Sequence, residues 1–193
     1  MPLDRAAAVA LLEKAAANDH PGALYNLGIL ALENRSEGVD YPRAAQLFRK
    51  SAELGSGDAA YALGLLYRKG MGVERNEKEA ALWLGQAAKD GFVPAQVEYA
   101  IMLFNGSGVA KDAKAAAQLF LKAAGRNNPV AENRIARLYA VGAGVPKDLR
   151  EAMRWHLRAR RAGIEDVWLD REWGKLSASD QAAIETRLHQ EGN

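Results

Sequence analysis

Residues 59–94 read AAYALGLLYRKGMGVERNEKEAALWLGQAAKDGFVP, and the same plan recurs every 36 residues on either side. Ala59 has counterparts at Ala23, Ala95 and Ala131. The pair Leu63-Gly64 becomes Leu27-Gly28, Tyr99-Ala100 and Ile135-Ala136, and the next column holds Ala31, Tyr67, Leu103 and Tyr139. A second set has the same period: Ala8, Ala44, Ala80, Ala116 and Ala152, then Leu11, Leu47, Trp83, Leu119 and Trp155, then Ala15, Ser51, Ala87, Ala123 and Ala159. Steps of three and four residues put each set on one face of a helix. Each unit is therefore an amphipathic A helix followed by an amphipathic B helix.

The punctuation is periodic as well. Asp4, Asp40, Asn76, Asp112 and Asp148 stand just before the B helices, where a side-chain oxygen caps the orphan amides of a first turn. Glu79 and Glu151, three residues beyond their caps, predict a reciprocal capping box in two units. Gly55, Gly91, Asn127 and Gly163 follow the B helices as left-handed terminators. Between A and B lie Gly70-Met71-Gly72-Val73, Gly106-Ser107-Gly108-Val109 and Gly142-Ala143-Gly144-Val145; the glycines permit positive φ and the valine is expected to plug the gap. In the first unit Gly38-Val39 comes two residues late, which predicts a differently shaped loop.

Composition agrees with packed helices. Alanine fills 38 of 193 positions, and aromatic residues only 7%. Small side chains let helix backbones approach closely, and alanine has the highest helix propensity. There is no cysteine, which removes disulfides, thiolate zinc sites and a cysteine nucleophile. Net charge is +2, too balanced for binding nucleic acid through phosphate contacts. No apolar run reaches the ~20 residues of a membrane-spanning helix. The opening residues lack the basic start and unbroken apolar stretch of a secretory leader, so a cytoplasmic location is expected, or a periplasmic one if a leader was removed.

With these columns in place, the chain resembles the Sel-one-like repeat family, which is similar to tetratricopeptide arrays but has a longer loop. Residues 59–94 carry the resemblance best, through Ala59, Leu63-Gly64, Tyr67, Gly70, Gly72-Val73, Ala80, Trp83, Ala87-Ala88 and Gly91; residues 131–166 match nearly as well. The resemblance implies an all-α fold, a right-handed α/α superhelix of about four helix-pair repeats. The repeats fall at 23–58, 59–94, 95–130 and 131–166, with caps at 1–22 and 167–193. It also implies a protein-interaction scaffold; known members serve bacterial signalling, secretion and envelope regulation, and eukaryotic protein quality control. Alignment of the Leu-Gly pair with tetratricopeptide arrays turns certain A-helix columns toward the concave side. From these columns Tyr25, Tyr61, Leu65, Arg68, Val97, Phe104, Asn133 and Arg137 are the expected partner-binding residues. Such a groove suits a peptide segment with apolar anchors and an acidic end. The same spacing also fits packing between neighbouring A helices, the expected role of Ile29 and Ile101.

The remaining features read as structural. After Gly163 the A pattern decays, and Trp168, Leu169, Trp173 and Leu176 are expected to pack as a cap, the alternative for the two tryptophans being a partner-binding aromatic end; Ser177 and Asp180 open a last helix that buries Ile184 and Leu188. Arg154, Arg158, Arg160 and Arg161 read as a solvated basic face that opposes the helix dipole, the alternative being a site for an anionic partner or lipid surface. His20, His156 and His189 sit in no ligand spacing, with His20-Pro21 a turn and His156 a helix-face residue. No catalytic residue, metal site or cofactor is expected, and neither nucleic acid nor a membrane span. The expected partner is a protein or peptide segment. A dedicated antagonist of one effector would use the same surface, and a divergent hydrolase would need a polar cluster in one pocket.

Overall fold

The computed structural model describes residues 5–33 and 38–191, which form eleven α-helices and no strand. They are α1 (Arg5–Ala17), α2 (Pro21–Glu33), α3 (Tyr41–Glu53), α4 (Gly57–Lys69), α5 (Glu77–Lys89), α6 (Val93–Asn105), α7 (Ala113–Ala124), α8 (Pro129–Val141), α9 (Leu149–Arg161), α10 (Val167–Trp173) and α11 (Ala178–Glu191). Even-numbered helices from α2 to α8 are A helices; odd-numbered ones to α9 are B helices. The chain forms two compact units. The first holds residues 1–102 and 107–110, the second residues 103–106 and 111–193.

In the first unit, consecutive helices from α1 to α5 pack side by side. The alanine and glycine columns explain how. Ala44, Ala59, Ala80 and Ala87 are fully buried. A Cβ on Gly28 would lie 2.5 Å from Phe48, and one on Gly64 would lie 2.7 Å from Leu84. The Leu-Gly glycines are thus the points where each A helix meets the large residue of its B helix. Phe48 and Leu84 are wholly enclosed there, and burying such side chains stabilises by about 1.5–3 kcal/mol each. The loop glycine Gly72 serves another contact. It has φ 68°, and a Cβ there would lie 2.2 Å from the Tyr41 carbonyl carbon, so the loop presses onto the first turn of the preceding B helix.

The caps form as the spacing predicts, with one correction. Asp40, Asn76, Asp112 and Asp148 accept amides from the first turns of α3, α5, α7 and α9. The reciprocal half of the capping box is missing. The Asn76 amide donates instead to the Tyr67 carbonyl and the Asp148 amide to the Tyr139 carbonyl, each tying a B helix to its own A helix. Glu79 is therefore free to accept from the Trp83 indole, and Glu151 pairs with Arg154. Gly55, Gly91, Asn127 and Gly163 all have positive φ, as does Asp19 in the corresponding place. Val73 and Val109 pack on the core, whereas Val39 is 47% exposed, so the first loop differs. Asp4 and residues 34–37 of that loop lie outside the described residues.

In the second unit α8 packs on α7 and α9, and α9 carries α10 and α11. Leu169, Ile184 and Leu188 are buried, as expected of a cap. His156, the helix-face residue of α9, is fully buried in the column otherwise held by Phe48, Leu84 and Phe120, and its Nε2 lies 2.9 Å from Asp170 of α10. One reading is corrected. The late α9 arginines are only partly solvated. Arg154 and Arg158 flank the Trp155 ring at 4.6 and 4.8 Å, and Arg158 also pairs with the buried Glu132 at 2.9 Å. Burial pushes the Glu132 carboxyl up, and Arg158 opposes it.

Candidate interaction surface

The A-helix face of the first unit is built on α2, α4 and the α6 residues up to Met102. Tyr25 and Tyr61 occupy one repeat column and are half-buried. Their rings lean on the hydrophobic layer beneath. Tyr25 lies 5.6 Å from Phe48 and Tyr61 lies 5.1 Å from Phe92, centroid to centroid, in tilted arrangements that favour aromatic pairs. Burial, assisted by Asp58 for Tyr25 and Glu98 for Tyr61, pushes both phenols above their ordinary values. Both therefore stay protonated and can donate a hydrogen bond. Leu65, one turn beyond Tyr61 on α4, is also half-buried. Arg68 forms an ion pair with Glu98, so its charge is already matched. Val97 is 6% exposed and serves as wall rather than as contact surface.

The second unit treats the same columns differently. Phe104 is half-buried, with the Lys111 ammonium 5.7 Å from its ring centre. Asn133 and Arg137 converge on one carboxylate, Asp166, which precedes α10. Asn133 donates at 2.8 Å, Arg137 Nε at 2.6 Å and Arg137 Nη2 at 2.9 Å, and the Leu169 amide donates to the same side chain at 3.2 Å. The Asp166 side chain is 2% exposed. Burial alone would raise its pKa, but the bonds from Arg137, Asn133 and Leu169 prevail and hold it at about 2. The residues expected to take an acidic end thus already hold one, supplied by the chain itself. Asp166 was not among the expected site residues, although its place three residues before Leu169 marks it as a cap.

Among the described residues no cluster of three or more His, Asp or Glu side chains is arranged to hold a metal ion. A cavity of about 360 Å³ between α9 and α11 is lined by Arg150, Arg154, Arg187, Glu151 and Asp180. Its charges satisfy one another: Arg150 with Asp180 at 2.7 Å, and Glu151 with Arg154 at 2.7 Å and Arg187 at 3.1 Å. No helix among the described residues is long and apolar enough to cross a membrane.

Comparison with known proteins agrees with the repeat geometry. The chain is similar to a Sel1 repeat protein from Oxalobacter formigenes, with 26% identity and a TM-score of 0.77 over 92% of this chain and 74% of that one. It is also similar to c5321, a protective antigen of uropathogenic Escherichia coli strains displaying an SLR fold, at 29% identity and a TM-score of 0.76 over 83% of this chain. The match spans about a third of the c5321 chain, 34%. A putative Sel1 repeat protein from Klebsiella pneumoniae, at 23% identity, shares the fold. Among curated proteins none matches the chain. The Sel1 repeat model matches residues 1–20, 21–56, 57–92, 93–128 and 129–164. The chain therefore belongs to the Sel1 repeat family, whose members generally mediate protein–protein interaction.

Proposed function

We propose that the chain is a non-catalytic scaffold that holds a segment of a partner protein on the A-helix face of its first unit. Apolar side chains of the partner rest against Tyr25, Tyr61 and Leu65, and the protonated tyrosine hydroxyls donate to its backbone. The observation that carries this reading is the pair Tyr61 and Leu65. They stand partly exposed one turn apart on α4, a helix whose neighbouring columns, Ala59, Ala60 and Leu63, are closed to within 1%. Apolar surface left open on so tightly packed a frame is what a binding groove requires. The bacterial origin of the structural neighbours supports a bacterial setting.

The test is co-purification from a bacterial lysate with wild type beside the double variant Tyr61→Ala, Leu65→Ala, both shown folded by circular dichroism. Loss of a specific companion in the variant supports the reading. Equal recovery from two folded proteins contradicts it.

A further inference from the structure

The second unit carries an exposed patch that neither the repeat frame nor the first-unit face explains. On α8, Arg134, Arg137 and Val141 follow one another at three and four residues and so share a side of the helix. Val141 is 58% exposed, and both arginines are exposed. The Arg137 guanidinium lies 5.8 Å from the ring centre of Trp168 on α10. Trp168 is 39% exposed and its neighbour Val167 64%. Trp168 therefore packs only in part and keeps some of its surface open beside α8. One turn along α10, Arg171 is exposed as well. Exposed tryptophan flanked by arginine is the composition of interface anchors, because a rigid ring loses little entropy on binding.

The charges around this patch select the occupant. Among the described residues, the side chains of Arg134 and Arg171 make no hydrogen bond or ion pair. The nearby carboxylates are already engaged. Asp166 is held by Asn133 and Arg137, Asp170 by His156 and Arg160, and Glu172 by Lys175; exposed Glu165 is the exception. The second unit as a whole has 15 basic against 11 acidic residues, whereas the first has 11 against 13. An acidic ligand is therefore steered to this unit and a basic one is not.

We propose that the α8–α10 face docks an acidic segment of a partner protein, with its apolar side chains against Trp168, Val167 and Val141 and its carboxylates on Arg134 and Arg171. Arg137 does not pair with the ligand. Fixed by Asp166, it supports the Trp168 ring from one side. The inference rests on the chain being an interaction scaffold, but not on the first-unit face.

The probe is a fluorescein-labelled twelve-residue peptide of glutamates with leucines at three- and four-residue spacing, titrated with the full chain and followed by anisotropy. A second peptide has lysine in place of every glutamate. The acidic peptide is expected to bind at least tenfold more tightly than the basic one, and to weaken as salt is raised. Trp168→Ala and Arg134→Glu are each expected to weaken it at least tenfold, while Tyr61→Ala with Leu65→Ala leaves it within twofold. Both single variants change exposed side chains, and circular dichroism checks their fold. Equal binding of the two peptides, or unchanged binding by both folded variants, overturns the proposal. A dimer in light scattering that Trp168→Ala dissolves also overturns it, because a second copy would then be the occupant. Loss of peptide binding in the Tyr61, Leu65 double variant would overturn the separateness of the two faces.

Discussion

The two units use the same A-helix columns for opposite ends. In the first unit those columns hold Tyr25, Tyr61 and Leu65, which lean on the hydrophobic layer and leave apolar surface open. In the second they hold Asn133 and Arg137, which close on the buried carboxylate of Asp166 and hold α10 in place. The frame beneath is the same in both: alanines at 0% exposure and loop glycines with positive φ. A repeat protein can therefore change what a face does without touching how it packs. The glycine and alanine columns hold the helices together; the columns between them carry identity.

The largest expected effect breaks the frame itself. Gly72→Ala places a Cβ in the left-handed region, which costs about 1–2 kcal/mol, and against the Tyr41 backbone at 2.2 Å, where overpacking adds about 1–3 kcal/mol. Urea denaturation should show a loss of about 3 kcal/mol, and a change under 1 kcal/mol would mean that the loop does not bear on α3. Next comes the closed face. The Asp166 pKa is depressed to about 2, so its contribution, about 2 kcal/mol, is present above pH 4 and is lost as pH falls from 4 toward 2. Asp166→Asn should cost about that much at pH 7, and the gap from wild type should close near pH 2. A gap of the same size at both pH values would show that the carboxylate charge is not what matters.

An effect of similar size is expected on the open face. Tyr61→Ala with Leu65→Ala truncates two half-buried side chains, and about 2 kcal/mol of stability should go while partner binding is lost. If stability fell by more than 5 kcal/mol, the two residues would be core rather than surface. The smallest effect belongs to Leu11→Glu. Leu11 is 69% exposed on α1, although Leu47, Trp83, Leu119 and Trp155 in its column are at least half-buried. Thermal unfolding should move by less than a degree or two, because surface changes are usually worth under 0.5 kcal/mol. A large loss would mean that something covers that side of α1.

The frame was legible in the sequence because a 36-residue period puts the packing residues in columns, and the physics of small side chains and caps is local. Gly64, Ala59 and Ala80 stand in columns that the period marks out, and all three are buried between helices. The partnerships of polar side chains were not legible. Glu79 reaches the Trp83 indole rather than its cap amide, because the Tyr67 carbonyl takes that amide first. His156 stands in a buried column, but its contact with Asp170, fourteen residues on, has no mark in the period. Asn133 and Arg137 meet Asp166 across about thirty residues. Each of these depends on how neighbouring helices are set against one another, and spacing within one helix carries no trace of that. Val97 shows the same gap: its column is open at Tyr25 and Tyr61 but closed at its own position.

Photo-crosslinking in cells tests the central claim most directly. Tyr61→p-benzoylphenylalanine on α4 is compared with the same replacement of Leu82, which is 60% exposed on the B helix α5. A partner adduct from position 61 and none from position 82 is the predicted result. An adduct from position 82 alone would place the interaction on the B helices and contradict the assignment of binding to the A-helix face.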